Sequence, residues 1–261
     1  MPTVREIEQA LFRLAPKEGA MDWDNVGQLL GDPEAEVSRV LVALDITEAV
    51  ADEAIAQGCQ LIVSHHPVMN CKWLPVQSVR QDTPQGHLLL KILKNDLSAI
   101  CMHTNLDVAP GGVNDTLADA LGMAREGRRD FADGCGRIGT VPATTAAELA
   151  RFCAGTLRSG VKYVDSPRPV TCLAEVSGAG GSYLQQAIDE GADCLVTGEA
   201  AHHIALLAKQ KGVGLVVAGH WGTEQAVAGV LAARLAAAFP GLTAAHAAAD
   251  TDPYAYLGPQ G

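Results

Sequence analysis

Short apolar runs alternate with amphipathic segments through the first half of the chain. The runs at 40–44, 61–63 and 98–102 combine Val, Ile and Leu in the way that is typical of buried strands. Each run is followed by a segment in which apolar residues recur at helical spacing. Three strand-then-helix units in a row predict a mainly parallel sheet, with ligands at the carboxyl ends of its strands.

Two helix starts are predicted from a local signal. Thr3 and Glu6 have the spacing of a capping box, and apolar residues then repeat at helical intervals until Pro16. Thr145 and Glu148 form a second capping box. The tail from Asp250 onwards contains Pro and Gly, and we expect it to be loosely held.

The second half repeats the pattern less regularly. Strands are expected near 136–141, 161–164, 170–176 and 213–218, followed by an Ala-rich helix. Segments 58–66 and 191–203 resemble each other, since both run from a glycine through an apolar strand to polar residues. We therefore predict an α/β protein with two similar lobes and mainly parallel sheets. Lobe 1 is expected at 1–125, joined by the C-terminal helix at 222–250, and lobe 2 at 126–221.

Composition narrows the class of protein. The 261 residues are 48% hydrophobic, and no apolar run is long enough to span a membrane. Acidic residues stand where a secretory signal would need basic ones, and the seven cysteines show no C-x-x-C spacing. We therefore expect a cytoplasmic protein with reduced thiols. The net charge of -11 argues against a broad nucleic-acid-binding surface.

Candidate metal ligands follow the predicted strands. Neighbouring side chains of an extended chain point to opposite sides, so the two adjacent histidines after 61–63 can face two ions, or one ion and one group that orients its ligands. Three imidazoles and two carboxylates stand at strand ends: His65, His66, Asp107, His220 and Glu224. Such N/O ligation suits Zn, Mn, Fe, Co or Ni better than Ca. Because five ligands are many for one catalytic metal, a pair of ions sharing a carboxylate is one interpretation.

Each candidate also has an ordinary structural interpretation. The adjacent histidines can be polar loop residues, Asp107 can cap a turn, and His220 with Glu224 can be a polar helix start. For His103 a structural or metal-orienting role is favoured over ligation. His202 and His203 are candidates for substrate contact rather than for metal binding. The glycine turn at 177–182 is either a phosphate site or, with more weight, a tight packing turn.

Several motifs together resemble one known family, the Ngg-interacting-factor-three-like proteins, many of which are labelled GTP cyclohydrolase I type 2 homologues. They occur in the family's order and cover nearly the whole chain. The matching segments are 23–27 (WDNVG), 64–67 (SHHP), 103–107 (HTNLD), 111–115 (GGVND), 136–139 (GRIG), 197–199 (TGE), Gly219-His220 and Thr223-Glu224.

The resemblance implies a particular site and assembly. It places a di-metal centre in the cleft between two α/β lobes, bound by the residues that match His65, His66, Asp107, His220 and Glu224. It also implies a toroidal homohexamer with the metal sites opening towards its interior. Trp221 departs from the family pattern, in which tyrosine is common.

Two functions of different classes remain open. The first is a metal-dependent hydrolase that acts on a nucleotide-like or phosphorylated small molecule, with His103 as a candidate for proton transfer. The alternative is a non-catalytic ring protein that binds, handles or senses metal. Action on a nucleic-acid end through a central opening is disfavoured by the acidic balance.

Overall fold

The computed structural model describes residues 1–257 and shows a mixed α/β fold. Within that range the helices are α1 (Val4–Leu14), α2 (Glu48–Ala56), α3 (Pro84–Lys94), α4 (Thr104–Val108), α5 (Val113–Ala120), α6 (Ala146–Leu157), α7 (Leu184–Asp189), α8 (His202–Lys211), α9 (His220–Glu224) and α10 (Ala226–Ala238). The strands are β1 (Gly27–Leu30), β2 (Arg39–Ala43), β3 (Leu61–Ser64), β4 (Ser98–Cys101), β5 (Arg129–Phe131), β6 (Gly136–Thr144), β7 (Lys162–Val164), β8 (Val170–Val176), β9 (Cys194–Thr197), β10 (Gly214–Val217) and β11 (Thr243–His246).

The chain divides into two compact units. Of the described residues, unit 1 comprises 1–110 and 227–251, and unit 2 comprises 111–226 and 252–257. Residues 227–251, which include most of α10, belong to unit 1, and the first division of the chain falls at 110/111. The reason is that α5 packs on β6 and β8, and its Leu117 belongs to a core cluster of unit 2.

Unit 1 contains a five-stranded sheet with the order β1–β4–β3–β2–β11. The four strands β4, β3, β2 and β11 are parallel, and β1 joins β4 as an antiparallel edge. The central strands β3 and β4 are buried along their whole length. Helices α2 and α3 contribute Val50, Leu89 and Ile92 to the core on one face of this sheet. The prediction of a mainly parallel sheet is confirmed here.

Unit 2 contains a six-stranded sheet with the order β5–β6–β8–β9–β10–β7. Only the β8–β9 and β9–β10 pairs are parallel, whereas β5–β6, β6–β8 and β7–β10 are antiparallel. The prediction of a mainly parallel second sheet is therefore wrong. Strand direction depends on the path of the chain between strands, and β5–β6 is a hairpin-like pair that hydrophobic spacing does not distinguish from a parallel one.

Both faces of the second sheet are covered. Leu173 and Val196 belong to a core cluster on one face, and their neighbours Ala174 and Leu195 belong to a cluster on the other. This alternation follows from the two-residue period of strands. No helix within residues 1–257 is long and apolar enough to cross a membrane.

Candidate metal centre

Three histidines of unit 1, His65, His66 and His103, follow the carboxyl ends of β3 and β4. Strands β3 and β4 are parallel, with Ser64 opposite Cys101, so the residues after them emerge side by side. The backbone N–H groups of His65 and His66 still donate to the carbonyls of Ala43 and Leu44. The two imidazoles therefore start from a backbone that the sheet holds in place.

His65 is held by a backbone carbonyl. Its Nδ1–H donates to the carbonyl oxygen of Met102 at 2.9 Å, which leaves the lone pair of the neutral ring on Nε2. Nε2 lies 3.6 Å from Oδ1 of Asp107, and the side chains are 1% and 15% exposed. Two ligands with bonds of about 2.1 Å to one ion lie roughly 3–3.5 Å apart, so this spacing is close to that of a shared cation.

The other two imidazoles of this cluster, those of His66 and His103, are held by carboxylates. Nδ1 of His66 lies 2.9 Å from Asp45, and Nδ1 of His103 lies 2.8 Å from Asp24. His65, His66 and His103 each offer a ring nitrogen within 4.8 Å of the others, which is close enough for one metal ion. Hydrogen bonds of this kind fix the tautomer and the ring orientation of metal-binding histidines.

Asp24 is the residue of this group that sequence reasoning missed. Its carboxylate accepts hydrogen bonds from His103 and from the backbone and hydroxyl of Thr104. Although burial alone would raise it, these hydrogen bonds and the attraction of His103 lower the pKa of Asp24 to about 2. The signal was the Trp23-Asp24-Asn25 turn, which the sequence pattern marked as a motif without showing its contact about 80 residues away.

Unit 2 brings His220 and Glu224 together on one short helix. Helix α9 begins at His220, just after β10, and the i,i+4 spacing places the two side chains on one face. Nε2 of His220 lies 3.2 Å from Oε2 of Glu224, and the side chains are 35% and 6% exposed. Nδ1 of His220 lies 2.9 Å from the carboxylate of Glu199, which therefore orients the ring. The Thr197-Gly198-Glu199 motif was recognised in the sequence, but orientation of the His220 ring by Glu199 was not predicted from it.

The glycine turn at 177–182 lies against this pair. A Cβ on Gly178, whose φ is +55°, would lie 2.3 Å from Oε1 of Glu224. The turn's amides are used within the protein, since Gly178 donates to the Thr223 hydroxyl and Gly180 to the Thr197 hydroxyl. The turn is therefore a packing turn that makes room for the carboxylate, and these two amides do not offer a phosphate site.

The donor chemistry of both units fits a divalent transition metal. In each unit the acceptor nitrogen of an imidazole faces a carboxylate oxygen, an arrangement that a cation stabilises. Among the described residues, no cysteine belongs to the groups that could hold a metal ion. Burial raises the pKa of the Cys101 thiol well above its ordinary value, and this thiol donates a hydrogen bond to the carbonyl oxygen of His65.

The other four histidines lie elsewhere, and His87 is part of α3. His202 and His203 begin α8 as exposed residues. His246 pairs with Asp250 through Nε2 at 2.8 Å, and the same carboxylate accepts from the backbone of Leu44. This His–Asp pair also has i,i+4 spacing, but its carboxylate is already used by the fold, which makes it a useful control.

Comparisons with known proteins agree with the motifs. A "GTP cyclohydrolase 1 type 2 homolog" from Clostridium acetobutylicum is 30% identical over 232 residues, covering 85% of each chain. One from Streptomyces coelicolor is 34% identical over 241 residues, covering 86% of this chain and 82% of that relative. The crystal structure of a Bacillus cereus protein related to NIF3 matches with a TM-score of 0.87 and 25% identity, over 98% of this chain and 99% of that one. The Duf34/NIF3 (NGG1p interacting factor 3) family profile matches residues 2–253, so the chain belongs to this family.

Proposed function

We propose that the protein is a metal-dependent hydrolase that acts on a nucleotide-like or phosphorylated small molecule. Two divalent metal ions per chain are bound by five residues: His65, His66, Asp107, His220 and Glu224. The observation that carries the proposal occurs once in each unit. An imidazole is fixed through Nδ1 by an oxygen acceptor, and its Nε2 faces a carboxylate that is at most 15% exposed.

Other residues of the chain orient the metal-binding histidines and transfer a proton. When bound, the metal ions lower the pKa of water and polarise the bond that is cleaved. Asp45 and Glu199 keep the His66 and His220 rings oriented. His103 is assigned to proton transfer, because it lies beside the His65 and His66 rings, at centroid distances of 5.1 and 5.5 Å, while Asp24 holds its Nδ1–H.

The substrate class has two supports. A site of imidazole and carboxylate ligands is suited to the hydrolysis of phosphate and related bonds. The relatives from Clostridium and Streptomyces carry the label GTP cyclohydrolase 1 type 2 homolog, which is consistent with a nucleotide-like substrate.

Metal content tests the first part of the proposal. The protein would be purified without added metal and measured by elemental mass spectrometry beside Asp107→Asn and Glu224→Gln, which keep the shape and remove the charge. We expect about two ions per wild-type chain, and loss of metal in both variants. His246→Ala is the matched control and should keep the wild-type content, because its Asp250 partner also serves the Leu44 backbone.

Turnover tests the second part. Hydrolysis across a panel of nucleotides and phosphorylated small molecules should disappear with chelator and in His66→Ala. Wild-type protein that takes up neither Zn, Mn nor Fe would overturn the metal centre. Full metal content without turnover of any compound would instead support a metal-handling protein.

A further inference from the structure

A cavity of about 720 Å³ opens beside His220 in unit 2. Its wall includes His220 and Glu199, the backbone of Gly198 and Gly219, Lys162 of β7, and Tyr254 and Tyr256 of the C-terminal tail. This volume is within the range of roughly 300–1,000 Å³ that is usual for pockets that bind small organic molecules. We call this cavity the tail pocket.

The described part of the tail contacts the rest of unit 2 through Tyr256, and residues 258–261, where a loose tail is also expected from the sequence, lie outside the described residues. The hydroxyl of Tyr256 donates to Asp252 at 2.7 Å and lies 3.3 Å from the hydroxyl of Ser159. A Cβ on Gly160 would lie 2.1 Å from the Tyr256 ring, so a larger residue at position 160 would displace the ring. The described part of the tail therefore forms a built wall.

The wall chemistry indicates the kind of ligand. Tyr254 lines the pocket and is 74% exposed, so a face or edge of its ring is accessible to a planar group. Among the described residues of the wall, Lys162 is the one lysine or arginine, and it supplies a positive charge. The wall also contains the acidic Glu199, whose carboxylate accepts a hydrogen bond from Nδ1–H of His220.

We propose that the tail pocket recognises the substrate through a planar ring stacked on Tyr254 and an anionic group paired with Lys162. The assignment deepens the proposed function and rests on it only in taking His220 as a metal ligand. It makes Tyr254 and Lys162 specificity-determining residues, and the tail a part of the site.

Binding of three probes tests the two contacts separately. GTP carries both features, guanosine the ring alone and inorganic triphosphate the charge alone. Affinities would be measured by isothermal titration calorimetry on the full chain in buffer without divalent metal. We expect Tyr254→Ala to weaken GTP and guanosine about tenfold and to leave triphosphate unchanged. Lys162→Ala should weaken GTP and triphosphate about tenfold and leave guanosine unchanged.

The adjacent residue provides a matched control. Tyr163 follows Lys162 in β7 and is 48% exposed, but it lines a neighbouring cavity of about 220 Å³ and is not among the residues of the tail pocket. Tyr163→Ala should therefore bind all three probes as wild type does. Equal losses in Tyr163→Ala and Tyr254→Ala, no change in either pocket variant, or no wild-type binding of GTP at millimolar concentration would each overturn the proposal.

Metal content separates this inference from the proposed function. Tyr254→Ala and Lys162→Ala should both retain wild-type metal content. A wild-type protein without metal, but with the expected pattern of probe binding, would overturn the hydrolase while the pocket assignment stands. Normal metal content together with any of the contrary binding results would overturn the pocket assignment while the hydrolase proposal stands.

Discussion

The two units present the same pair of groups, an imidazole and a carboxylate, by different means. In unit 1 the histidines continue from a buried parallel sheet, and the His65 side chain is 1% exposed. In unit 2 the pair lies on the five-residue helix α9, and the His220 side chain is 35% exposed. A sheet edge fixes ligands through the backbone, whereas a short helix needs help from the segments packed against it.

The glycine turn is the main support of the unit 2 pair, and its removal should have the largest effect. Gly178→Ala places a Cβ at 2.3 Å from Glu224 Oε1 in a left-handed backbone conformation. We expect metal affinity to fall by more than tenfold in competition with a chromogenic chelator. Gly191→Ala is the control, because its φ is +88° and a Cβ there meets nothing within 4 Å. It should cost only the backbone strain of about 1–2 kcal/mol and leave metal affinity unchanged.

The orienting carboxylates offer a direct comparison of the two units. Asp45→Ala and Glu199→Ala each remove the acceptor of one ring Nδ1–H, at His66 and His220 respectively. Loss of such a partner typically costs about 10–100-fold in metal affinity. We expect the larger loss at Glu199, because the backbone N–H of His66 also donates to the carbonyl of Leu44, directly after β2.

Chelator competition on both variants decides this point, with the surface substitution Asp189→Ala as a reference for a lost acidic charge. An equal or larger loss in Asp45→Ala would show that the sheet edge adds no orientation. The difference between the two units would then be one of side-chain burial only.

The sheet of unit 2 contains a buried acidic residue. Glu175 of β8 is fully buried in unit 2, opposite Arg137 of β6. Burial raises the pKa of the Glu175 carboxyl well above its ordinary value, against the opposing attraction of Arg137. Folding then favours the protonated form, so the stability that Glu175 contributes is present at low pH. It is lost as the pH rises above the ordinary glutamate range.

Glu175→Gln keeps the shape and removes this dependence. We expect its free energy of unfolding to exceed that of wild type by about 1–2 kcal/mol at pH 7.5, and the difference to vanish near pH 4. Urea unfolding at both pH values measures this difference.

Asp115→Asn should behave in the opposite way, because hydrogen bonds from Arg137 and Gly111 lower the pKa of Asp115 against the effect of burial. Its loss of stability at neutral pH should shrink as the pH falls through the carboxyl range.

Local signals predicted the local structure well. Both capping boxes are present, and α1 and α6 begin directly after Thr3 and Thr145. The apolar runs became β2, β3 and β4. Strands without an apolar signature were missed: β11 reads Thr-Ala-Ala-His, and β1 is a half-buried edge strand. Such strands form because a neighbouring strand offers its hydrogen-bonding edge, which is a tertiary property.

The sequence by itself predicted the family, the types of α1 to α3 and β2 to β4 in the first unit, and a set of candidate metal ligands. Only the tertiary structure decided which ring nitrogen each histidine presents. That choice is made by distant acceptors: Met102 is 37 residues from His65, and Asp24 is 79 residues from His103. The strand directions of the second sheet were decided in the same way. Hydrophobic spacing records which face of a strand or helix is buried, whereas hydrogen-bond partners across the fold are fixed only when the chain has packed.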